Sequence, residues 1–177
     1  MAHLISQQRL LLAQQSLREA QVLEQLACYQ ATVVSTIWLN LDVTDSDIDV
    51  LCCYQSKDTF VSCVTTTYRW YPQFEIIVKQ DYVVARFQQN GFVIEIYASV
   101  VPVEQQRAYQ HFVVMERLVA IGGEEFKAKV RSLKQQGLKT EPAIAQLLQL
   151  AGDPYRAVQN LYLHPRQELH KLVQRIC

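Results

Sequence analysis

Several residue types and patterns are scarce in this chain of 177 residues, and each scarcity excludes a class of protein. Five glycines and five prolines are too few for a collagen-like repeat or a long disordered linker. No apolar run approaches the roughly 20 residues of a membrane span, so we expect no membrane partner. The opening stretch MAHLISQQRLLLAQQSLREA has no basic start followed by an apolar stretch, which predicts that it is not a secretory signal.

Net charge is also absent, because 17 basic residues balance 17 acidic ones. Without a broad basic surface, binding of long nucleic acid is not expected, and any nucleotide contact has to come from a local site. The five cysteines are odd in number and form no CxxC pair. They indicate reduced thiols in the core, not a disulfide framework or a zinc site, and so predict a cytoplasmic protein.

Hydrophobic residues make up half of the chain, and their spacing divides it into two parts. Residues 1–100 combine a Gln-rich amphipathic helix over residues 5–29 with strand-like segments and one further helix. The strand-like segments are ATVVSTIWLN, DIDVLCCY, FEIIVKQ, YVVARFQQ and FVIEIYAS. Residues 101–177 show helical patterns separated by glycines. We therefore predict an α+β fold, a mixed β-sheet core flanked by helices with a C-terminal helical lobe, packed as one compact unit.

Negative charge gathers at the start of the second strand-like segment, in the stretch VTDSDIDVLCCY. Asp47 and Asp49 lie two residues apart, so in a strand they project from the same face. Two carboxylates about 4 Å apart repel by about 4 kcal/mol at an effective dielectric near 20. A divalent cation between them would offset this repulsion, and Mg²⁺ prefers a few carboxylates together with substrate phosphates. We therefore predict that Asp47 and Asp49 bind Mg²⁺ (or Mn²⁺).

Two further features are candidates for the same site. Glu95 is the only charged residue of FVIEIYAS, and it can supply a third carboxylate if its strand lies beside that of Asp49. Ser35 and Thr36 end the apolar run VVSTIW about ten residues before the aspartates. Hydroxyls and backbone N–H groups at such a position can hold a phosphate over a metal site.

Together these pieces resemble the nucleotidyltransferase superfamily with the polymerase-β-like fold. Its pattern is an apolar residue followed by Gly-Gly or Gly-Ser, then Asp-x-Asp or Asp-x-Glu on a strand, then a third carboxylate on a later strand. VST, SDIDVL and FVIEIY stand in those places, with Ser35 where the superfamily usually has glycine. More narrowly, the chain resembles a small bacterial family of unknown function on this fold, through SDIDVLCCY, VVARFQQNGFVIEIY, VPVEQQRAYQHFVVMERL, RSLKQQGLKTEPAIAQ and LAGDPY.

The resemblance implies Mg²⁺-dependent transfer of a nucleotidyl group from a nucleoside triphosphate to an unknown acceptor. Asp47, Asp49 and Glu95 would be the metal-binding and catalytic residues, with Glu95 as a third ligand or as the base that takes a proton from the acceptor hydroxyl. Ser35 and Thr36 would hold phosphate.

Lys139 is a further candidate for ligand binding. It lies in GLKTEP just after a helix-ending glycine, and by analogy with the fold we expect this loop to face the carboxylates. Arg86 is expected to pair with Glu95 or Asp81 in preference to contacting phosphate. His111 is expected to be a structural hydrogen-bonding residue.

Other interpretations of the aspartates remain open. A solvated start of a strand with capping aspartates explains SDID without a metal. A calcium-binding EF-hand is excluded, because the positions that would need Gly and Glu, counted from Asp45, hold Val50 and Ser56. Ser35 in place of glycine favours a second function, a catalytically inactive protein of this fold that serves as a ligand-binding or protein-interaction module.

Overall fold

A five-stranded mixed β-sheet lies at the centre of the first part of the chain, in a computed structural model that describes residues 2–176. The strands are β1 (Thr32–Val33), β2 (Ile48–Cys53), β3 (Glu75–Val78), β4 (Tyr82–Gln89) and β5 (Phe92–Ser99). Their spatial order is β1-β2-β5-β4-β3. β2 and β5 run parallel, and the other neighbouring pairs run antiparallel. This mixed sheet with flanking helices confirms the predicted α+β class.

Helices precede, interrupt and follow the sheet. They are α1 (Ala2–Glu19), α2 (Val22–Gln25), α3 (Lys57–Tyr68), α4 (Arg107–Gln135), α5 (Thr140–Leu147), α6 (Pro154–Asn160) and α7 (Arg166–Val173). Short 3₁₀ turns occupy Ala27–Tyr29, Thr36–Leu39, Val103–Gln105 and Leu161–Leu163. Among the residues that the structure describes, no helix combines the length and the apolar character needed to cross a membrane.

The chain forms two compact units. The first unit comprises the residues up to Trp38 together with Ser46–Gln106, and it contains the sheet with α1, α2 and α3. The second unit comprises Leu39–Asp45 and the residues from Arg107 onward, and it contains α4 to α7.

One face of the sheet carries the core of the first unit. Alternate residues of β2, β5 and β4 are fully buried there, because side chains of a strand alternate between the two faces. They pack with Leu17 of α1 and with Phe60 and Val64 of α3. The strand residues of this face are Ile48, Val50, Cys52, Ile94, Ile96, Ala98, Val83, Ala85 and Phe87. The residues between them therefore project from the opposite face.

The predicted helix over residues 5–29 is wrong beyond its first part. Gln21 has a left-handed backbone (φ 51°), which ends the first helix and starts the short α2. In an unbroken helix the buried series Ala13, Leu17 and Ala20 would continue at Leu23, but after this break Val22 is buried and Leu23 is exposed. A regular helical period across residue 21 therefore predicted the wrong inward-facing residues.

The segment ATVVSTIWLN forms a much shorter strand than predicted. Only Thr32–Val33 pairs as a strand within it, and Thr36–Leu39 turns as a 3₁₀ helix. The Asn-Gly pair at Asn90–Gly91 predicts a two-residue hairpin turn between YVVARFQQ and FVIEIYAS. This turn is confirmed, because both residues have the positive φ that the common hairpin type requires, 51° and 81°.

The helices of the second unit pack around their own hydrophobic core. Gly123 has a non-helical backbone (φ 55°, ψ −147°) and divides α4 into two helical segments, as the Gly122–Gly123 pair predicted. A side chain at Gly122 would lie 2.5 Å from Cβ of Phe126, so glycine allows this close packing. The core itself includes Leu118, Phe126, Ile144 and Leu169, all fully buried.

The segment Leu39–Asp45 joins the second unit even though it lies between β1 and β2 in sequence. Leu41 is fully buried in the helical core. Two basic side chains of α4 donate to its backbone, Arg131 Nη1 to Asn40 O (2.6 Å) and Lys134 Nζ to Leu41 O (2.7 Å). Apolar burial and charge-assisted hydrogen bonds thus hold this loop on α4.

A buried histidine links three elements of the second unit. His111 on α4 is 4% exposed, and its Nδ1 lies 3.1 Å from Oε1 of Glu141 on α5. Its Nε2 lies 2.9 Å from the carbonyl oxygen of Tyr155 on α6, which can only accept a hydrogen bond. The structural role expected for His111 is therefore confirmed.

Candidate functional site

The second face of the sheet carries the candidate site. Asp49 of β2, Glu95 of β5 and Arg86 of β4 are each half-buried at positions that alternate with the buried core residues. Asp47 lies one residue before β2 and two before Asp49, so it is on the same side of the chain by the same alternation.

Strand register brings these charges into a row. Asp49 pairs with Glu95 across the parallel strands β2 and β5. Glu95 pairs with Arg86 across β5 and β4, and Arg86 pairs with Glu75 across β4 and β3. Side chains at paired positions lie on the same face, about 5 Å apart at Cβ. The register therefore places the predicted third carboxylate beside Asp49.

Glu95 also forms an ion pair with Arg86. Arg86 Nε donates to Glu95 Oε2 at 2.6 Å, with the two side chains 42% and 24% exposed. The expected pairing of Arg86 is confirmed, and its partner is Glu95, not Asp81. The hydrogen bond to Glu95 and the charge of its carboxylate raise the pKa of the Arg86 guanidinium, with smaller contributions from Glu75 and Asp47.

The turn after β1 is tied to the start of β2 by short hydrogen bonds. The backbone N–H of Val34 donates to Asp49 O (2.9 Å). Ser35 is fully buried, and its Oγ donates to Asp47 O (2.7 Å) and accepts from the N–H of Ile37 (3.4 Å). The Ser35 hydroxyl thus positions the strand that carries the aspartates.

Replacing Ser35 by alanine should lower the free energy of unfolding by about 1–2 kcal/mol, because the carbonyl of Asp47 then loses its donor. Urea unfolding of the wild type and the variant measures this loss. Ser62→Ala is the matched control, since Ser62 is exposed on α3 and should change stability by less than about 0.5 kcal/mol. Equal stability of the two variants would mean that the Ser35 hydroxyl contributes nothing to the turn.

The donor set fits a hard divalent cation with substrate phosphates. Asp47 and Asp49 offer carboxylate oxygens at the start of one strand, and Mg²⁺ is usually held by one or two carboxylates with the rest of its shell from water and phosphate. Among the side chains that the structure describes, no group of three or more His, Cys, Asp and Glu residues is arranged to hold a metal ion.

Thr36 and Lys139 are the two remaining candidates. Thr36 follows Ser35 and begins the 3₁₀ turn, where it is half-buried. Lys139 is exposed and immediately precedes α5 in the second unit. Its approach to the carboxylates stays a prediction.

The sequence predicted neither the place of Glu75 on this face nor the order in which the four charged residues follow one another across the strands. Glu75 opens a short strand and carries no motif, so only the register of β3 with β4 relates it to Arg86. The alternation of YVVARFQQ does place Arg86 on the face opposite to that of Val83 and Ala85, but only the register of β4 with β5 puts it beside Glu95.

A comparison of the sequence with known protein families assigns the chain to one of them. The model of a family described as a domain of unknown function, DUF4269, matches residues 15–161. The chain belongs to the DUF4269 family. No curated protein matches the chain.

Solved structures similar to this DUF4269 chain share its fold at low sequence identity. The Cid1 poly(U) polymerase with MgGTP bound has a TM-score of 0.59 and 11% identity over 89% of this chain and 52% of that chain. A chain of the GLD-2/RNP-8 complex has a TM-score of 0.59 and 10% identity over 93% of this chain and 76% of that chain. The DUF4269 chain thus spans about half the length of the Cid1 chain. These likenesses confirm the predicted nucleotidyltransferase fold of the polymerase-β type.

Proposed function

We propose that this protein binds a nucleoside triphosphate with Mg²⁺ or Mn²⁺ and transfers its nucleotidyl group to an acceptor hydroxyl. The observation that carries the proposal is the register of β2 with β5, which sets Glu95 beside Asp49, two residues after Asp47, on one face of a nucleotidyltransferase fold. The adjoining turn at Ser35 is bonded directly to the strand of the two aspartates.

Asp47 and Asp49 would hold the divalent cation. When bound, the ion would neutralise charge on the phosphates during the transfer. The acceptor oxygen forms a bond to the α-phosphorus, and the bond to the leaving pyrophosphate breaks with its electron pair going to pyrophosphate. The proton of the acceptor hydroxyl passes to a carboxylate of the face, for which Glu95 is the candidate. Glu95 is at the same time the candidate third ligand of the ion.

Thr36 in the turn after β1 and Lys139 before α5 are the residues proposed to contact phosphate. Thr36 offers a hydroxyl, and Ser35 shapes the turn through its bond to Asp47 O. Lys139 offers an exposed ammonium group. The candidate acceptors are small molecules, protein hydroxyls and RNA ends. The name of Cid1, a poly(U) polymerase, supports testing RNA ends, whereas the balanced charge argues against long RNA.

A catalytically inactive ligand-binding or protein-interaction module is the second candidate function. Two observations favour it. Arg86 already neutralises Glu95 at 2.6 Å, and the side chain of Ser35 fills the turn where the superfamily usually has glycine.

Thermal unfolding with Mg²⁺ and each nucleoside triphosphate tests the proposal. A ligand at about 100 times its Kd adds about 2.7 kcal/mol of stability, which corresponds to about 5–10 °C in Tm for a chain of this size. Incubation with α-labelled and γ-labelled triphosphate then separates the two functions, because a nucleotidyltransferase leaves only the α-label on its acceptor. A Tm shift without transfer would favour the module, and no shift with any triphosphate would contradict nucleotide binding.

A further inference from the structure

β3 forms one edge of the sheet, because it pairs with β4 and, within the part of the chain that the structure describes, with no other strand. The N–H of Lys79 donates to Tyr82 O (2.9 Å) at the end of this ladder. Residues of an antiparallel strand alternate between its two sides, so Ile76 and Val78 direct their N–H and C=O groups away from β4. These groups have no hydrogen-bond partner among the described residues. The edge of β3 is therefore open to a further strand.

The side chains of this edge segment (residues 75–79, EIIVK) divide between the two faces of the sheet. Glu75, Ile77 and Lys79 lie on the face of the candidate site, and the two charged residues are exposed. Ile76 and Val78 lie on the core face, where Ile76 packs against the core and Val78 is 50% exposed. A half-exposed valine at the border of a hydrophobic core indicates that the edge can bury more apolar surface.

The edge segment is complementary to itself in the antiparallel direction. An acidic residue begins it, a basic residue ends it, and Ile77 is its centre. When two copies pair about a two-fold axis through Ile77 and perpendicular to the sheets, Glu75 lies opposite the second copy's Lys79, and Ile76 lies opposite the second copy's Val78. The outward N–H and C=O groups of Ile76 and Val78 then face each other and form the hydrogen bonds of an antiparallel ladder. Backbone, apolar and charged groups are thus matched in one register.

Other registers of the same two strands match fewer groups. A pairing centred on Ile76 sets Glu75 opposite the second copy's Ile77 and leaves the carboxylate without a cation. A pairing centred on Val78 sets Glu75 opposite the second copy's Asp81, and like charges directly opposite each other are destabilising. Charged side chains commonly protect a short edge strand from pairing, but opposite charges placed symmetrically about Ile77 attract a second copy of the same strand.

We propose that two copies of this chain associate through the β3 edge, by antiparallel pairing of residues 75–79 about a two-fold axis through Ile77. The pairing forms a Glu75–Lys79 ion pair on each side of the axis and covers the exposed Val78 with the second copy's Ile76. Both copies use the same surface, so association stops at a dimer. The second copy's Lys79 then lies beside Glu75, at the end of the row of charged side chains on the candidate face. This assembly does not depend on the proposed transfer reaction.

Sedimentation equilibrium of the full chain tests this proposal. Concentrations from about 1 μM to about 1 mM cover the affinities that a short interface allows, and the wild type should form a dimer within this range. Lys79→Glu sets a glutamate opposite Glu75 on both sides of the axis and should raise the Kd of the dimer at least about tenfold. Glu75→Lys/Lys79→Glu reverses both ion pairs and should return the Kd to within about threefold of wild type, because the charges are again complementary.

A disulfide across the axis tests the register directly. The Cα atoms of a non-hydrogen-bonded antiparallel pair lie about 4.5 Å apart, within the range of about 4.4–6.8 Å that a disulfide spans. Ile77→Cys should therefore form a covalent dimer on mild oxidation, visible on a non-reducing gel. Val78→Cys is the matched control, because the two copies of residue 78 lie more than about 7 Å apart in this register. It should form no more covalent dimer than the wild type with its native cysteines.

Arg18→Glu is the control for net charge. It makes the same charge change as Lys79→Glu at an exposed position of α1, and it should leave the Kd of the dimer unchanged. Circular dichroism and the unfolding midpoint of each variant show that it is folded. Glu75 faces Arg86 in the register of β3 and β4, so a lysine at position 75 can weaken the fold. If the charge-reversed double variant does not fold, the Ile77→Cys cross-link still decides the test.

Two results would overturn the proposal. A wild type that stays monomeric at every concentration shows that the edge does not bind a second copy, and an extended segment of another protein becomes the alternative occupant. A dimer that Lys79→Glu does not weaken, or in which Ile77→Cys forms no more covalent dimer than Val78→Cys, uses a different surface.

Discussion

Asp49→Asn should abolish the binding of Mg²⁺ with nucleotide and any transfer reaction. Asparagine keeps the shape of the side chain but deletes one of the two charges proposed to hold the ion. The unfolding midpoint of the metal-free variant shows whether it is folded. A variant that stays folded while it loses binding is typical of a residue kept for function.

Calorimetric titration of Mg²⁺ or Mn²⁺ in the presence of a nucleoside triphosphate measures this loss. Asp58→Asn is the matched control, because Asp58 is an exposed aspartate of the same unit, in the first turn of α3. It should bind as the wild type does. If Asp49→Asn and the wild type give the same heat, or if neither gives any, the aspartates only open a strand and the metal hypothesis is wrong.

His111→Ala should lower the free energy of unfolding of the second unit by about 3 kcal/mol. The change removes the partner of the Glu141 carboxylate and of the Tyr155 carbonyl at a position that is 4% exposed. Breaking a buried pair by removing one partner typically costs about 3–5 kcal/mol. We expect the lower end of this range, because the Glu141 side chain is 20% exposed and water can reach it.

His164→Ala provides the control for this loss. His164 also pairs with a glutamate, with 2.8 Å between its Nδ1 and Oε2 of Glu168, but both side chains are exposed to solvent. An exposed pair of this kind contributes about 0.5 kcal/mol. Urea unfolding followed by circular dichroism compares the two variants. Similar losses would show that burial of His111 has no special effect.

The same contact predicts how stability depends on pH. Burial raises the pKa of the Glu141 carboxyl, but the hydrogen bond from His111, a backbone N–H and the charge of His111 together outweigh burial and hold it below its ordinary value of 4.5. A lowered pKa in the folded state stabilises the fold above the ordinary value, and the gain is lost as the pH falls through the lowered value. The stability difference between wild type and Glu141→Gln should therefore shrink as the pH falls below about 4.5.

Local features of the fold were predictable where the signal lies in neighbouring residues. Asp153 caps α6 by accepting from the N–H of Arg156 at 2.9 Å, as its position before Pro154 indicated. The alternation of DIDVLCC assigned Asp49 and Val50 to opposite faces of β2, and the structure has Val50 fully buried and Asp49 half-buried. Both features follow from steric and hydrogen-bonding rules that act over a few residues.

Other features depended on contacts between distant residues. Nothing within the first 30 residues marks Gln21 as left-handed, because its backbone is set by how α1 and α2 pack on the sheet. The loop Leu39–Asp45 reads as a turn between strands, yet Arg131 and Lys134 hold it in the second unit from more than 90 residues away in sequence. Contacts between residues this far apart cannot be predicted from local sequence patterns.

The candidate site shows the same division between sequence and tertiary structure. The sequence by itself determined which side chains are proposed for the chemistry, namely Asp47, Asp49 and Glu95, because their spacing and their place in apolar runs are local properties. Only the tertiary structure decided that β5 lies parallel to β2 with Glu95 opposite Asp49, and that Arg86 reaches Glu95. Strand order and register come from the summed burial of many side chains, which no single segment encodes.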